Sequence, residues 1–450
     1  MIAGAAALGG FLFGFDTAVI NGTVDAVQAD FRISSGELGF VVSSALIGCA
    51  VGAWFAGPIA DRMGRVRVML IAAVLFAFSA VGSALAWGPW SLGVFRIIGG
   101  LAVGAASVIA PAYIAEISPA NLRGRLGSLQ QLAIVTGIFA ALLVDYLLAQ
   151  AAGGSASDPV PWGGTAWRWM FASAALPAVV YAVVSLQIPE SPRYLVKKNR
   201  LAEARTVLAR VIGGDVDVRL NEIVRSLKSG TLVVRLSDLR GPRFGLMPIV
   251  WVGILLSVFQ QFVGINVIFY YSSTLWRSVG FSEGNSMLIS VITSVTNIVT
   301  TLVAISLVDR IGRKPLLLIG AVGMAVSLGT MAWAFSTASG SGTDVTLSPT
   351  VGKVALVAAN LFVFSFGMSW GPVVWVLLGE MFNNTIRATA LAVAAAAQWL
   401  ANWLVSTSFL PLADFGLALP YAIYTACAVL AFIFVSRAVR ETKGRELEDM

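Results

Sequence analysis

About twelve apolar runs of some 20 residues each succeed one another along this chain of 450 residues, and no other feature narrows its folding so far. At a rise of about 1.5 Å per residue, one such run covers the roughly 30 Å hydrocarbon depth of a bilayer. Hydrophobic residues make up 58% of the chain and charged ones 12%, against roughly 25% charged in an average soluble domain. A soluble fold has no interior large enough to hide that surface, so the chain reads as a helical protein with many membrane spans.

Hydropathy, charge and Gly/Pro breaks place the spans at 2–22, 38–58, 66–87, 90–114, 126–149 and 167–188, then 246–275, 284–308, 315–336, 352–381, 387–410 and 418–437. The first run lacks a basic leader and a small-residue cleavage site and holds Asp16, so it is expected to be a span and not a removable signal peptide. With the N-terminus inside, the loops on that side carry Arg62, Arg65, Arg67, Arg123, Arg125, the cluster from Arg193 to Arg243, Arg310, Arg313, Lys314, Arg387 and the basic tail. The opposite loops hold little more than Arg32, Arg168, Arg277 and Lys353. That asymmetry predicts both termini in the cytoplasm. It also assigns the net charge of +7 to membrane topology and not to nucleic acid.

Cys49 and Cys427 lie inside apolar runs, where they act as small hydrophobes. Histidine is absent, which excludes a histidine proton relay and most zinc sites. No metal or cofactor is expected. With no HExxH, nucleophile elbow or P-loop and no acid/base set, no catalytic residue is assigned and an enzyme is not expected.

Overlaying the halves reveals a repeat. Asp61-Arg62-Met63-Gly64-Arg65 follows span 2 and Asp309-Arg310-Ile311-Gly312-Arg313 follows span 8, while Glu116 and Arg123 share their spacing with Glu380 and Arg387. Matched pairs at an offset of about 250 residues imply two six-helix bundles with a site between them near the midplane. The expected fold is all-α: bundles at 1–188 and 245–437, a linker at 189–244 and a tail at 438–450. Leu201, Ala204, Val207, Leu208 and Val211 stand at helical spacing in the linker, which predicts short amphipathic helices on the cytoplasmic face. The two DRxGR loops set an acid and two arginines beside a helix end, where ion pairs could latch the inward side shut; the alternative is that these charges only solvate loops and set topology.

Asp16 is the most informative single residue, because a carboxylate inside a span costs about 2.5–3.5 kcal/mol on insertion scales. It lies about 13 residues from the inner end of span 1, or roughly 20 Å, and Arg96 about 7 residues from the outer end of span 4, or roughly 10 Å, so the two share a level. Burial and a neighbouring guanidinium act oppositely on a carboxyl group, so making or breaking an Asp16–Arg96 contact would change its hold on a proton. The alternative is a static ion pair.

By the same reckoning Gln260, Asn297 and Gln398 lie near the midplane. Amides both donate and accept, as sugar hydroxyls do, without the burial cost of a charge. A lone amide would be an interhelical hydrogen bond of about 0.6 kcal/mol; three at one depth point to a sugar site. Gly264 interrupts span 7, and Gly367, Gly371 and Pro372 interrupt span 10, where backbone breaks are tolerated beside a cavity or protein. Gly99, Gly100 and Gly104 read as helix-packing contacts.

Phe13-Gly14-Phe15-Asp16-Thr17-Ala18-Val19-Ile20-Asn21-Gly22, the two DRxGR loops, Pro189-Glu190-Ser191-Pro192-Arg193-Tyr194-Leu195, Gln260-Gln261-Phe262-Val263-Gly264-Ile265-Asn266 and Glu441-Thr442-Lys443-Gly444 resemble the signatures of the sugar porter family of the major facilitator superfamily. Arg440 departs from the proline usual there. The resemblance, to bacterial proton-coupled glucose and xylose symporters and to facilitative glucose transporters, covers nearly the whole chain. It implies that Glu116, Arg123, Glu190, Glu380 and Arg387 form a gating network with the DRxGR charges. It adds Gln131, Gln261, Asn266 and Trp375 to the sugar site, then Tyr270, Tyr271, Phe13, Gly371, Trp399 and Asn402, with Trp375 stacking on the sugar ring. Proton-coupled members have an acid where Asp16 stands. Ala174 follows Phe171-Ala172-Ser173 where some pentose-transporting relatives carry a second acid, which favours a hexose. The expected function is proton-coupled import of a monosaccharide such as D-glucose by alternating access, by a monomer in the inner (cell) membrane. Passive uniport, or symport of xylose, galactose or inositol, is the alternative; a sugar sensor would need a long signalling tail.

Overall fold

The computed structural model describes residues 2–117, 123–211, 216–229, 239–241, 245–278, 280–341, 344–382 and 386–442. In chain order the first half comprises α1 (Ile2–Val19), α2 (Val24–Phe31), α3 (Ser35–Met63), α4 (Arg65–Ala84), α5 (Pro89–Ile117), α6 (Arg123–Ala151), α7 (Ala166–Ser173) and α8 (Ala175–Gln187). Three short helices follow: α9 (Pro192–Lys197), α10 (Leu201–Val211) and α11 (Val216–Ser229). The second half comprises α12 (Pro248–Phe262), α13 (Ile265–Ser278), α14 (Glu283–Ile311), α15 (Arg313–Ser336), the strands β1 (Ser339–Ser341) and β2 (Asp344–Thr346), then α16 (Pro349–Gly367), α17 (Trp370–Met381), α18 (Arg387–Ala413) and α19 (Ala418–Ala438). Among the described residues 11 helices are long and apolar enough to cross a membrane, or 12 if the bent pair α1/α2 counts as one span.

The breaks have local causes. Gly264 adopts φ of 81° between α12 and α13, a conformation that costs a side chain about 1–2 kcal/mol. Pro372 has no N–H and its ring crowds the carbonyl four residues back, at Met368, where α16 gives way to α17. Pro177 acts likewise on Ser173, so the sixth span, expected to be continuous over 167–188, is two helices meeting at Ala174. The first span, expected to run to residue 22, stops at Val19 and resumes at Val24 after a 53° bend. At this elbow Asn21 N–H still bonds Ala18 O at 2.9 Å, whereas Gly22 N–H turns sideways to Asp145 Oδ2 at 3.2 Å.

Packing repeats with the sequence. In the first half α1 packs on α6, α5 on α4, and α4 on α8; in the second α12 packs on α18, α16 on α15, and α15 on α19. The halves meet where α3 lies on α18 and α14 on α6. Close crossings rely on glycine: a Cβ on Gly100 would stand 1.9 Å from Ala45 O, on Gly104 2.2 Å from Cys49 O, on Gly48 2.1 Å from Ile97 O, and on Gly14 1.9 Å from Ile134 O. Gly100 and Gly104 are thus the packing contacts expected, whereas Gly99 faces Ser79 Oγ and Asp16.

The linker helices α9 to α11 lie on the side of the chain termini, hereafter the terminus side. Ala204 and Leu208 are buried there as expected, but Leu201 is exposed, and the Val211 side chain lies outside the described residues. The small β1–β2 hairpin, Ser339 opposite Thr346, belongs to the far side.

Candidate functional site

At mid-depth the second half gathers its amides. Gln260 Nε2 donates to Trp370 O at 2.8 Å and Gly371 O at 3.2 Å, the carbonyls of the first turn of α17, just past the break between α16 and α17. Its Oε1 accepts from Gln398 Nε2 at 2.7 Å and from Gln261 Nε2 at 3.4 Å, and Gln261 Oε1 accepts from Asn266 Nδ2 at 2.6 Å. Gln260, Gln261, Asn266, Gln398 and Gly371 thus form one chain across α12, α13, α17 and α18. Gln398 Oε1 is buried without a partner, an acceptor awaiting a donor such as a hydroxyl.

Asn297 is buried on α14 beside the same break: a Cβ on Gly367 would stand 3.2 Å from its Oδ1. Asn402 accepts from Ser406 Oγ at 3.2 Å, and Tyr271 donates to Ser406 O at 3.0 Å. Tyr270 is buried with its ring centroid 6.4 Å from that of Tyr271. Gln131 is half-buried on α6 in the first half. Trp375 is 44% exposed on α17, and its ring is not in the amide chain. A separate cavity of about 300 Å³ between α3, α4 and α5 is lined by Val51, Phe55, Ile59, Leu75 and Leu101 among others; it offers sugar hydroxyls no partner.

Asp16 and Arg96 meet as their depths predict. Arg96 Nη1 donates to Asp16 Oδ1 at 2.9 Å and to Asp16 O at 3.4 Å, and the guanidinium carbon lies 5.9 Å from the centre of the Phe171 ring. Both side chains are buried, and Arg96 Nε has no partner. One helical turn before Asp16, Phe13 packs edge-on against Trp399 at 5.4 Å, and Trp399 adjoins Gln398. This aromatic contact crosses from the first half to the second one turn from the carboxyl and one residue from the amide chain.

The charges on the terminus side form two matching sets. Arg65 Nε and Nη2 donate to Glu116 at 3.1 and 2.9 Å, and Arg313 Nε and Nη2 to Glu380 at 3.0 and 2.7 Å. Glu190 accepts from the N–H of Arg65 at 2.9 Å and of Val66 at 3.3 Å; Glu441 accepts from the N–H of Arg313 at 3.0 Å and of Lys314 at 2.9 Å. Each carboxylate so caps the positive end of a helix, α4 or α15. Ser191 and Thr442, one residue further on, donate to Glu116 and Glu380.

This geometry explains the glycine of both DRxGR loops. Gly64 and Gly312 have φ of 98° and 104°, and a Cβ would stand 2.3 Å from Glu190 Oε2 or 2.8 Å from Glu441 Oε2. Sequence comparison of the halves pairs Glu116 with Glu380 but leaves Glu190 and Glu441 unpaired, because their flanks, Pro189-Glu190-Ser191 and Arg440-Glu441-Thr442, share little else.

Asp61 bonds Lys197 Nζ at 2.8 Å and Arg65 Nη1 at 3.1 Å. Partial burial pushes its carboxyl up, but these two cations outweigh that and hold it below the ordinary carboxylate value. Arg62 offers its carbonyl to Tyr194 at 3.3 Å, and Arg310 is exposed on α14. The side chains of Arg123, Asp309 and Arg387 lie outside the described residues. The described pairs close within each half, and not across the two halves.

What joins the halves is a seal on the far side, which the sequence did not suggest. Asn21 Nδ2 donates to Phe269 O at 3.0 Å and Ser272 Oγ at 2.9 Å, and Ser273 Oγ donates to Asn21 O at 2.5 Å. Arg277 and Thr274 both reach Asp25 at 2.9 Å, Glu283 accepts from Ala156 N–H at 2.7 Å, and Ser43 meets Thr407 at 2.6 Å. Arg277 stood among the few basic residues expected outside, and its unlike neighbours Asp25 and Glu283 were the available signal. Asp145 was also passed over, although it is a carboxylate inside a span and meets the criterion that singled out Asp16.

The family model for sugar (and other) transporters matches residues 2–450. The chain is 57% identical to a glucose transport protein of Synechocystis, covering 100% of this chain and 96% of that one, and 40% identical to a D-xylose-proton symporter of Escherichia coli, covering 99% and 93%. Its fold matches the inward open conformation of the xylose transporter XylE from E. coli with a TM-score of 0.82 at 39% identity, over 99% of this chain and 98% of that one. The partially occluded inward open conformation gives 0.83 at 37% identity, over 98% and 99%. The far-side seal among the described residues, the amide and carboxyl centres and these likenesses agree: the chain belongs to the sugar porter family of the major facilitator superfamily.

Proposed function

We propose that the protein imports a monosaccharide, D-glucose or a similar hexose, together with a proton by alternating access. The observation that carries this reading is the buried Asp16–Arg96 pair in the first half, with the Phe13–Trp399 contact to the second half one turn away. The Synechocystis relative is a glucose transport protein and the E. coli relative couples xylose to protons, which supports both the hexose and the proton.

The cycle assigns each group a task. With the far side open, Asp16 takes a proton and its hold on Arg96 weakens. Sugar binds between Gln131 and the set Gln260, Gln261, Asn266, Asn297, Gln398 and Asn402, with Trp375 as the ring's apolar platform and Phe13, Tyr270, Tyr271, Gly371 and Trp399 around it. The far side then seals and the terminus side opens. Asp16 passes its proton to water there and re-forms the Arg96 pair, the arrangement described above.

The matched sets around Glu116 and Glu380 keep the terminus ends of the halves rigid, and together with Asp61, Arg62, Arg123, Asp309, Arg310 and Arg387 they serve as the latch when those ends come together. Solvent-exposed pairs formed between those ends, of about 0–1 kcal/mol each, are weak enough to break in every cycle.

The terminus side is the cytoplasm, following its excess of arginine, and the membrane is the inner (cell) membrane. The moving bodies are residues 1–188 and 245–437, with 189–244 and 438–450 on the cytoplasmic face, and one chain suffices as a monomer in the bilayer.

Asp16→Asn tests the reading. It should abolish accumulation of sugar against a gradient and leave counterflow exchange largely intact; accumulation at the wild-type level would overturn the assignment of the coupling proton to Asp16, whereas a wild type that only equilibrates sugar would favour passive uniport.

A further inference from the structure

Asp145 lies on α6, six residues before its end at Ala151, so it is about 9 Å from the far edge of that helix. It is 1% exposed. Its Oδ2 accepts the N–H of Gly22, the residue at the elbow between α1 and α2, and its Oδ1 is buried with no partner. The fit is tight, since a Cβ on Gly22 would stand 2.7 Å from Asp145 Cβ. The adjoining Asn21 carries the seal, and its own Oδ1 is a second buried acceptor without a donor.

Among the described residues no cation pairs with this carboxyl. On the elements packed against α6, Asp16 and Arg96 are paired with each other. Asp25 is held by Arg277 and Thr274, and Glu283 by Arg277 and Ala156 N–H. Arg168 on α7 is taken by Ala84 O, Ala86 O and Asp30, and Glu116 at the opposite end of α5 by Arg65. An ionised Asp145 would leave this buried oxygen without a hydrogen bond. A proton on the carboxyl removes the cost of burying its charge.

We propose that Asp145 is a second proton-binding site, occupied while the far side is sealed and emptied to water on that side when the elbow of the first span swings away. The bond broken is Asp145 O–H, the proton goes to water, and the carboxylate left behind is solvated. Closing the seal therefore takes up one proton from outside at this site, separately from the proton carried by Asp16. Acid on the far side favours the sealed state.

This rests on the alternating-access reading, so the test is run without sugar and in the Asp16→Asn background. In the purified full chain, with Cys49 and Cys427 replaced by alanine, spin labels at Gly36→Cys and Phe415→Cys report the far-side opening. Infrared spectra of the unlabelled chain report the carbonyl stretch of a protonated carboxyl. Raising the pH should remove a carboxyl band and lengthen the label distance together. Asp145→Asn should lack the band and keep the short distance at every pH, and Asp145→Glu should restore both responses with a displaced midpoint. A distance that follows pH in Asp145→Asn as before, or a sealed state with no carboxyl band assignable to Asp145, would overturn the proposal. If the coupling role of Asp16 fails instead, sugar drives no proton movement in the wild type while both Asp145 signals remain.

Discussion

Gln260 is bonded on both sides: it donates to the carbonyls of Trp370 and Gly371 at the start of α17 and accepts from Gln398 and Gln261. Gln260→Ala leaves those groups unpaired at roughly 1–3 kcal/mol each, so sugar binding to the purified protein should weaken by about tenfold or more; unchanged affinity would remove Gln260 from the site. Asp61 makes a smaller claim. Its depressed carboxyl stabilises the fold above the ordinary carboxylate value, and that contribution is lost as pH falls through the lower folded-state value. Lys197→Ala should therefore cost no more than about 1 kcal/mol in thermal unfolding near neutral pH, for a pair half exposed to water, and less in acid. At this scale the sequence was most legible where polarity clashes with an apolar run, as at Asp16, Gln260 and Gln398. Asp145 clashes with its apolar run in the same way, and Trp375, implied by family resemblance alone, stands apart from the amide chain.

The broken spans show how far helix-level reading reaches. Gly264 and Pro372 were visible as breakers, and both breaks occur; Pro177 is the same chemistry inside a run apolar enough to pass as continuous, whereas the Asn21-Gly22 elbow depends on the side-chain acceptor Asp145 from another helix. Which helices touch is set by three-dimensional packing and not by spacing, so the partners of Gly100 and Gly104 on α3 were not readable. Gly100→Val would drive a side chain into Ala45 O and should destabilise the protein by about 1–3 kcal/mol or more, seen as a lowered unfolding temperature. Gly93→Ala, on the same helix and facing open space but for Ser44 Oγ at 4.0 Å, should be tolerated. Equal losses for the two would contradict the close crossing.

Across the whole molecule the repeat was legible because matched loops survive in the sequence, whereas the state of the cycle was not, since both states use the same residues. Among the described residues the hydrogen bonds that join the halves lie toward the far side, and the Arg277–Asp25 pair is the ionic strap described there between α2 and α13. Arg277→Gln should raise the fraction of outward-open molecules, read as faster labelling of a cysteine placed at Thr274; a slower rate would mean the pair opposes the seal. The central claim is that sugar and proton move together through Asp16. Proteoliposomes holding the purified protein, given D-glucose outside with no initial pH gradient, should show the external medium turn alkaline in step with sugar entry, and lose this with Asp16→Asn. Sugar entry at the wild-type rate with no proton movement would contradict it.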